Sequence, residues 1–164
     1  MAAARADKSD IEWRCEHFGQ LAAPALYEIL RLRQDVFILE QDCMYPDLDG
    51  FDRDALHLSA WRDGQLLAYL RALPPGGDAL PGGNAESTIG RVVVSPAARG
   101  LSLGRELMRR GIALNLATWP GAGICIGAQA HLEEFYTELG FTRSGDVYDD
   151  AGIPHIKMRY REDA

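Results

Sequence analysis

The stretch from Thr88 to Ile126 constrains the fold of this 164-residue chain more than any other part of it. Thr88 to Val94 is an almost unbroken β-branched run, the pattern of a strand covered on both faces, and Pro96 cannot continue a ladder. Leu103, Leu107, Met108, Ile112 and Leu114 then recur at helical spacing, with Arg105, Glu106, Arg109 and Arg110 between them. Ile124 to Ile126 follows Pro120-Gly121 and is too short for a helix, so it reads as a second strand. The unit is strand, helix, strand, and the two strands run parallel.

The flanking segments extend this unit in both directions. Ile11, Trp13 and Cys15 alternate with polar residues, as in a half-buried strand. From Pro24, the residues Leu26, Ile29, Leu30, Val36 and Phe37 fall at helical spacing, giving one helix or two short ones meeting near Arg33. Leu56–Trp61 and Leu66–Leu73 are apolar runs joined through Asp63-Gly64, a dipeptide suited to a tight antiparallel hairpin. Pro74 to Asn84 reads as an exposed loop. His131 to Leu139 is a short helix closed by Gly140, and Phe141 opens a last hairpin that turns at Asp149-Asp150-Ala151-Gly152 and returns through His155 to Tyr160. The reading is one α/β domain over residues 1–164, with residues 1–9 as a flexible tail.

Charge and motif content exclude several function classes. Lys and Arg number 17 against 24 Asp and Glu, a net charge of −7 that disfavours nucleic acid as a partner. The N-terminal ten residues lack the apolar segment of a secretory signal, and no run approaches a membrane span, so the expected location is cytoplasmic with no membrane partner. Cys15, Cys43 and Cys125 form no CxxC pair, which leaves reduced thiols and no thiolate metal site. Lys8 and Lys157 are the only lysines and neither follows a glycine loop, which excludes a P-loop NTPase. A Rossmann dinucleotide site is discounted too, because the glycine loop lies past mid-chain and lacks the acid at the next strand.

Arg99-Gly100-Leu101-Ser102-Leu103-Gly104 enters the helix that begins at Leu103. Unpaired N–H groups converge at a helix N-terminus, and the aligned peptide dipoles place roughly half a positive charge there. Glycines at 100 and 104 let the backbone approach a ligand, and Arg99 and Arg105 add charge on either side. A pyrophosphate suits such a loop, although any tight strand-to-helix turn favours the same residues.

Beyond the loop, IGRVVVSPAARGLSLGRELM resembles motif A of the GNAT (Gcn5-related) N-acetyltransferase superfamily, and FYTELGF resembles its motif B. LRQDVFILEQDCMYPDLDGFDRDALHL, GAQAHLEEFYTELGF and DDAGIPHIKM are similar to the ElaA-like acyltransferases within it. Ser102 stands where motif A has its first glycine. The resemblance implies a GNAT fold: a mixed central sheet whose parallel strands splay at the cofactor site, flanked by helices. It implies acetyl-CoA as cosubstrate, with no metal, held by Arg99, Gly100, Leu101, Ser102, Leu103, Gly104 and Arg105 and by the exposed edge of Val92, Val93 and Val94. An acetyl group would pass by direct attack to a primary amine of a small molecule or peptide, in a monomer or homodimer. The alternative is a non-catalytic acyl-CoA sensor. Tyr136 matches the residue that protonates the leaving thiolate in many GNAT enzymes. For the base, Glu40 is the first choice and His57 the next, with His155 also eligible and His131 less so. The six acids from Glu40 to Asp54 form either an anionic border to the acceptor groove or a solvated loop. Cys125 reads as a buried core thiol.

Overall fold

The computed structural model describes residues 10–80 and 85–162, so the expected tail at residues 1–9 and the end of the Pro74–Asn84 loop lie outside the described residues. Eight strands form one mixed sheet. These are β1 (Glu12–His17), β2 (Leu56–Arg62), β3 (Gln65–Leu73), β4 (Ser87–Val94), β5 (Ile124–Gln129), β6 (Thr142–Arg143), β7 (Tyr148–Asp150) and β8 (Ile153–Tyr160). Their spatial order is β1-β2-β3-β4-β5-β8-β6, with β7 also paired to β8. Among the described residues only β4 and β5 run parallel, and the crossover between them is the helix α2 (Leu103–Thr118). Helix α1 (Ala23–Arg33) carries Pro24 in its first turn, where a missing N–H costs nothing, and α3 (Glu133–Glu138) follows β5.

Each face of the sheet holds its own core. On one side Leu103, Leu107, Met108 and Ile112 of α2 pack against Leu70, Ile89, Ile126, Ile156 and Met158. α2 lies close to the sheet because Gly111 has no Cβ; one built there would come within 2.7 Å of Leu70 Cδ2. On the other side Ile29, Leu32, Val36 and Phe37 cover Trp61, Leu66, Tyr69 and Val93. Val93 and Ile89 therefore feed opposite cores, which is why the run from Thr88 to Val94 shows no alternation.

Of the two readings for the segment after Pro24, the structure takes the single continuous one: α1 runs on past Arg33 as seven residues of π-helix, Gln34–Glu40. The first arm of the terminal hairpin is two short strands, β6 and β7, rather than one, because Gly145, Asp146 and Val147 leave the ladder between them. β8 is interior, bonded to β5 on one side and to β6 and β7 on the other. The turn itself is tight: Ala151 (φ 52°) and Gly152 (φ 85°) link the Asp150–Ile153 pair.

Candidate functional site: a cleft between splayed strands

β4 and β5 pair at only two positions, Ser87 with Ile124 and Thr88 with Cys125. Beyond Thr88 they separate, and the β5-facing edge of β4 is left without a ladder partner among the described residues. The closed end is held by polar bonds. Ser87 donates from both N (3.2 Å) and Oγ (2.8 Å) to the Gly123 carbonyl, and Asn115 of α2 donates to Ser87 Oγ at 2.9 Å. The open end is spread by a β-bulge. Between the pairs Tyr69–Val93 and Arg71–Gly90, β4 uses one more residue than β3, and Arg91 there takes φ 54°. An extra residue bends a strand away from its neighbour, so the bulge and the separation fall together.

The glycine loop sits where β4 leads into α2. Gly100 has φ 86° and Ser102 has φ 56°, ψ 27°, so both positions are left-handed. The position where motif A has glycine demands a conformation glycine adopts freely, and Ser102 holds it at a cost of about 1 kcal/mol. At Gly104 a Cβ would stand 3.7 Å from Val94 Cγ2, the distance of ordinary contact between the helix start and the end of β4. The first-turn N–H groups of α2 have no acceptors within the helix. The two arginines beside them are engaged at the surface: Arg99 with Glu40 at 2.7 Å, and Arg105 with Glu138 while lying over the Phe135 ring. Both pairs are half-exposed, so an incoming anion displaces them at little cost. This donor set fits a diphosphate, and the free strand edge next to it fits an extended amide-bearing chain.

Tyr136 lines the cleft from α3, opposite Gly90, Arg91 and Val92 of β4. Its ring is clamped edge-on between Phe135 and Phe141, and burial pushes its phenol up to about 12. Glu40 and His57 are not brought to the cleft. Glu40 ends the π-helix on the surface, tied to Arg99. His57 is 1% exposed, with Nδ1 2.7 Å from the Tyr69 hydroxyl and Nε2 2.8 Å from the Asp52 carbonyl. A carbonyl can only accept, so Nε2 carries the proton and Nδ1 accepts from Tyr69. Both nitrogens are committed, and burial holds the ring below its ordinary value despite the Asp52 contact.

The carboxylate segment corresponds to neither sequence reading. Asp47, Asp49 and Asp52 turn inward onto three arginines, leaving Asp42 and Asp54 exposed. Arg33 reaches Asp47 Oδ2 at 2.9 Å and Asp52 Oδ1 at 2.7 Å. Arg71 reaches Asp52 Oδ1 at 2.9 Å and grips both oxygens of Asp49, and Arg91 reaches Asp47 Oδ1 at 2.7 Å. Three positive and three negative groups cancel. Burial opposes charge on both sides, but the arginines hold Asp49 and Asp52 below the usual carboxylate range. The signal lay in the sequence as arginines inside apolar runs, LRLR, YLRAL and IGRVVV, since a buried guanidinium demands anionic partners.

The cleft's far end is polar. Gln41 and Cys43, just past the π-helix, face Gln129 of β5, Tyr148 and Asp150 of β7, and His155 of β8. Gln129 Nε2 donates to Gln41 Oε1 at 3.1 Å, bridging the two walls. Tyr148 lies flat across β5 because residue 127 is glycine: a Cβ there would be 2.7 Å from the Tyr148 hydroxyl. Cys125 is fully buried, with its thiol pushed up by desolvation. Among the described residues no group of acidic, cysteine or histidine side chains has metal-site geometry, and no helix is long and apolar enough to cross a membrane.

Comparison with known proteins meets this geometry. An acyl-CoA N-acyltransferase from Pseudomonas aeruginosa superposes with a TM-score of 0.83 at 43% identity, over 92% of this chain and 99% of that one. The crystal structure of Escherichia coli ElaA gives the same TM-score at 39% identity and the same two coverages. A UPF0039 protein of Synechocystis is 43% identical over 153 residues, 93% of this chain and 96% of its own. Residues 30–162 match the acetyltransferase (GNAT) domain model, and the chain belongs to that family of acyltransferase enzymes.

Proposed function

We propose that the protein transfers an acetyl group from acetyl-CoA to a primary amine by direct attack, with no covalent enzyme intermediate. The observation that carries this reading is the two-residue β4–β5 ladder, which leaves the rest of β4 an open edge running to Val94 beside a helix N-terminus flanked by Arg99 and Arg105. The N–H groups of residues 99–105 take the diphosphate, and the free edge at Val92, Val93 and Val94 pairs with the pantetheine amides as an added strand would. A β4 N–H near Val93 or Val94 donates to the thioester oxygen as charge develops there, an interaction of about 3 kcal/mol in comparable oxyanion sites. Tyr136 gives its proton to the departing sulfur. Its raised pKa is no obstacle, because the water-poor cleft that disfavours the phenolate disfavours the thiolate as well.

The test is thiol release from acetyl-CoA against a panel of polyamines, aminoglycosides, amino acids and peptide N-termini, alongside thermal shift with acetyl-CoA alone. Amine-dependent thiol release supports the reading. Tyr136→Phe then lowers kcat at least tenfold with little change in KM for acetyl-CoA. A thermal shift with no thiol release for any amine replaces the enzyme with an acyl-CoA sensor.

A further inference from the structure

With Glu40 and His57 both away from the cleft, the proton that the attacking amine must lose needs another acceptor. We propose that His155 is the general base, acting through Nε2. The proposal rests on the acyl-transfer reading above.

His155 and His57 are buried to different degrees and held in opposite tautomers. His155 Nδ1 lies 2.8 Å from the carbonyl oxygen of Ile153, which can only accept, so Nδ1 carries the hydrogen. The lone pair is then on Nε2. The ring is half-buried and lines the cleft, stacked on Tyr148 at a centroid distance of 5.9 Å and an interplanar angle of 30°. Orientation comes from three sources: β8 pairing with Gln129 of β5 and with Tyr148 of β7, the Ile153 carbonyl, and the Tyr148 ring. A backbone-anchored Nδ1–H with a free Nε2 is the arrangement that directs an imidazole base at a substrate. His57 has the reverse arrangement and spends both nitrogens inside the protein.

The titratable and charged groups that share the cleft with His155 are Tyr148 and Asp150 of β7, Cys43 and Tyr45 beyond the π-helix, Arg71 of β3, Arg91 of β4 and Tyr136 of α3. The two arginines are matched by Asp47, Asp49 and Asp52, which leaves Asp150 as the uncompensated charge at this end. Its sign draws in an ammonium and supports the imidazolium that forms when Nε2 takes the ammonium proton. The neutral amine then attacks the thioester carbon and the C–S bond breaks as Tyr136 protonates the sulfur; the second N–H proton passes to water as the amide forms, and the Tyr136 phenolate takes a proton back from water. His155 returns its proton to water between turnovers.

The decisive variant is His155→Asn, whose side-chain amide keeps a donor toward the Ile153 carbonyl but has no base at the Nε2 position. Three readouts apply to the full chain. Long-range proton–nitrogen NMR at neutral pH shows Nδ1–H at His155 and Nε2–H at His57; an Nε2–H tautomer at His155 overturns the proposal without reference to activity. Thiol-release kinetics show kcat/KM lowered about 10²-fold or more in His155→Asn, with the acid limb of the wild-type pH profile gone. Calorimetry with acetyl-CoA shows unchanged affinity, and imidazole restores part of the rate to His155→Ala. Wild-type rate and pH profile in His155→Asn overturn the base assignment alone, as does loss of acetyl-CoA affinity in step with rate, which marks a structural residue. A wild-type chain that binds no acetyl-CoA overturns the acyl-transfer reading itself.

Discussion

Two sets of arginines in this protein share a residue type and differ in almost everything else. Arg33, Arg71 and Arg91 lie inside, with side chains 0%, 3% and 20% exposed, and every one is bound to aspartates of the 47–52 segment. Arg99 and Arg105 flank the helix α2 entrance at 46% and 35% exposure, each holding one surface glutamate. The inner set has no exchangeable partner, since removing an aspartate strands a buried charge. The outer set can trade a carboxylate for a phosphate without desolvating anything new. Burial therefore separates arginines that build the protein from arginines whose surface pairs can be exchanged.

The sharpest way to break this distinction is Arg33→Ala. Loss of one partner from a buried ion network costs about 3–5 kcal/mol, a large part of the 5–15 kcal/mol typical of a domain. A urea midpoint within experimental error of wild type contradicts the assignment. Arg105→Ala is expected to do the opposite, leaving the urea midpoint in place while weakening acetyl-CoA binding about tenfold, near 1.4 kcal/mol. High salt narrows that difference but does not rescue Arg33→Ala, because exposed pairs are screened and buried ones are not.

Stability should also follow the inner set as pH falls. His57, Asp49 and Asp52 all have folded-state values below their ordinary ones. Their contribution is thus complete above the ordinary values, near 6.5 for the histidine and 3.8 for the carboxylates. It is lost as pH drops through the lower folded values. Melting temperatures are expected to be flat from pH 7 to 8, to decline below 6.5 and to fall steeply below 4; in His57→Gln the first decline disappears.

Smaller effects sharpen the outer half of the comparison. Ser102→Gly relieves a left-handed residue and is expected to raise stability by about 0.5 kcal/mol, with chain entropy offsetting part of the gain. Ser102→Val should lower it. Glu40→Gln, which only releases Arg99, is expected to change kcat less than twofold, as for an exposed pair.

The sequence carried the crossover unit well, because an unbroken β-branched strand and a helix of 3.6-residue period leave few alternatives. The serine at the motif's glycine position marked where the loop conformation was open, and the structure gives Ser102 a left-handed one. It did not show the bulge at Arg91, which depends on how β3 and β4 align, or the fate of the carboxylate segment, which depends on three arginines 14 to 44 residues away in sequence. The surroundings of the candidate bases were hidden for the same reason. Which nitrogen of a histidine remains free is decided by a backbone carbonyl and a neighbouring ring, and neither is visible in residue spacing.

The central claim is that backbone donors and exposed arginines at the start of α2 hold the diphosphate of an acyl-CoA beside the open edge of β4. Titrating acetyl-CoA calorimetrically into the wild type and into the Arg99→Ala/Arg105→Ala double variant tests it most directly. Saturable one-to-one binding to the wild type is expected, with binding at least tenfold weaker to the double variant at an unchanged melting temperature. No heat with the wild type, or equal affinity in both, would contradict it.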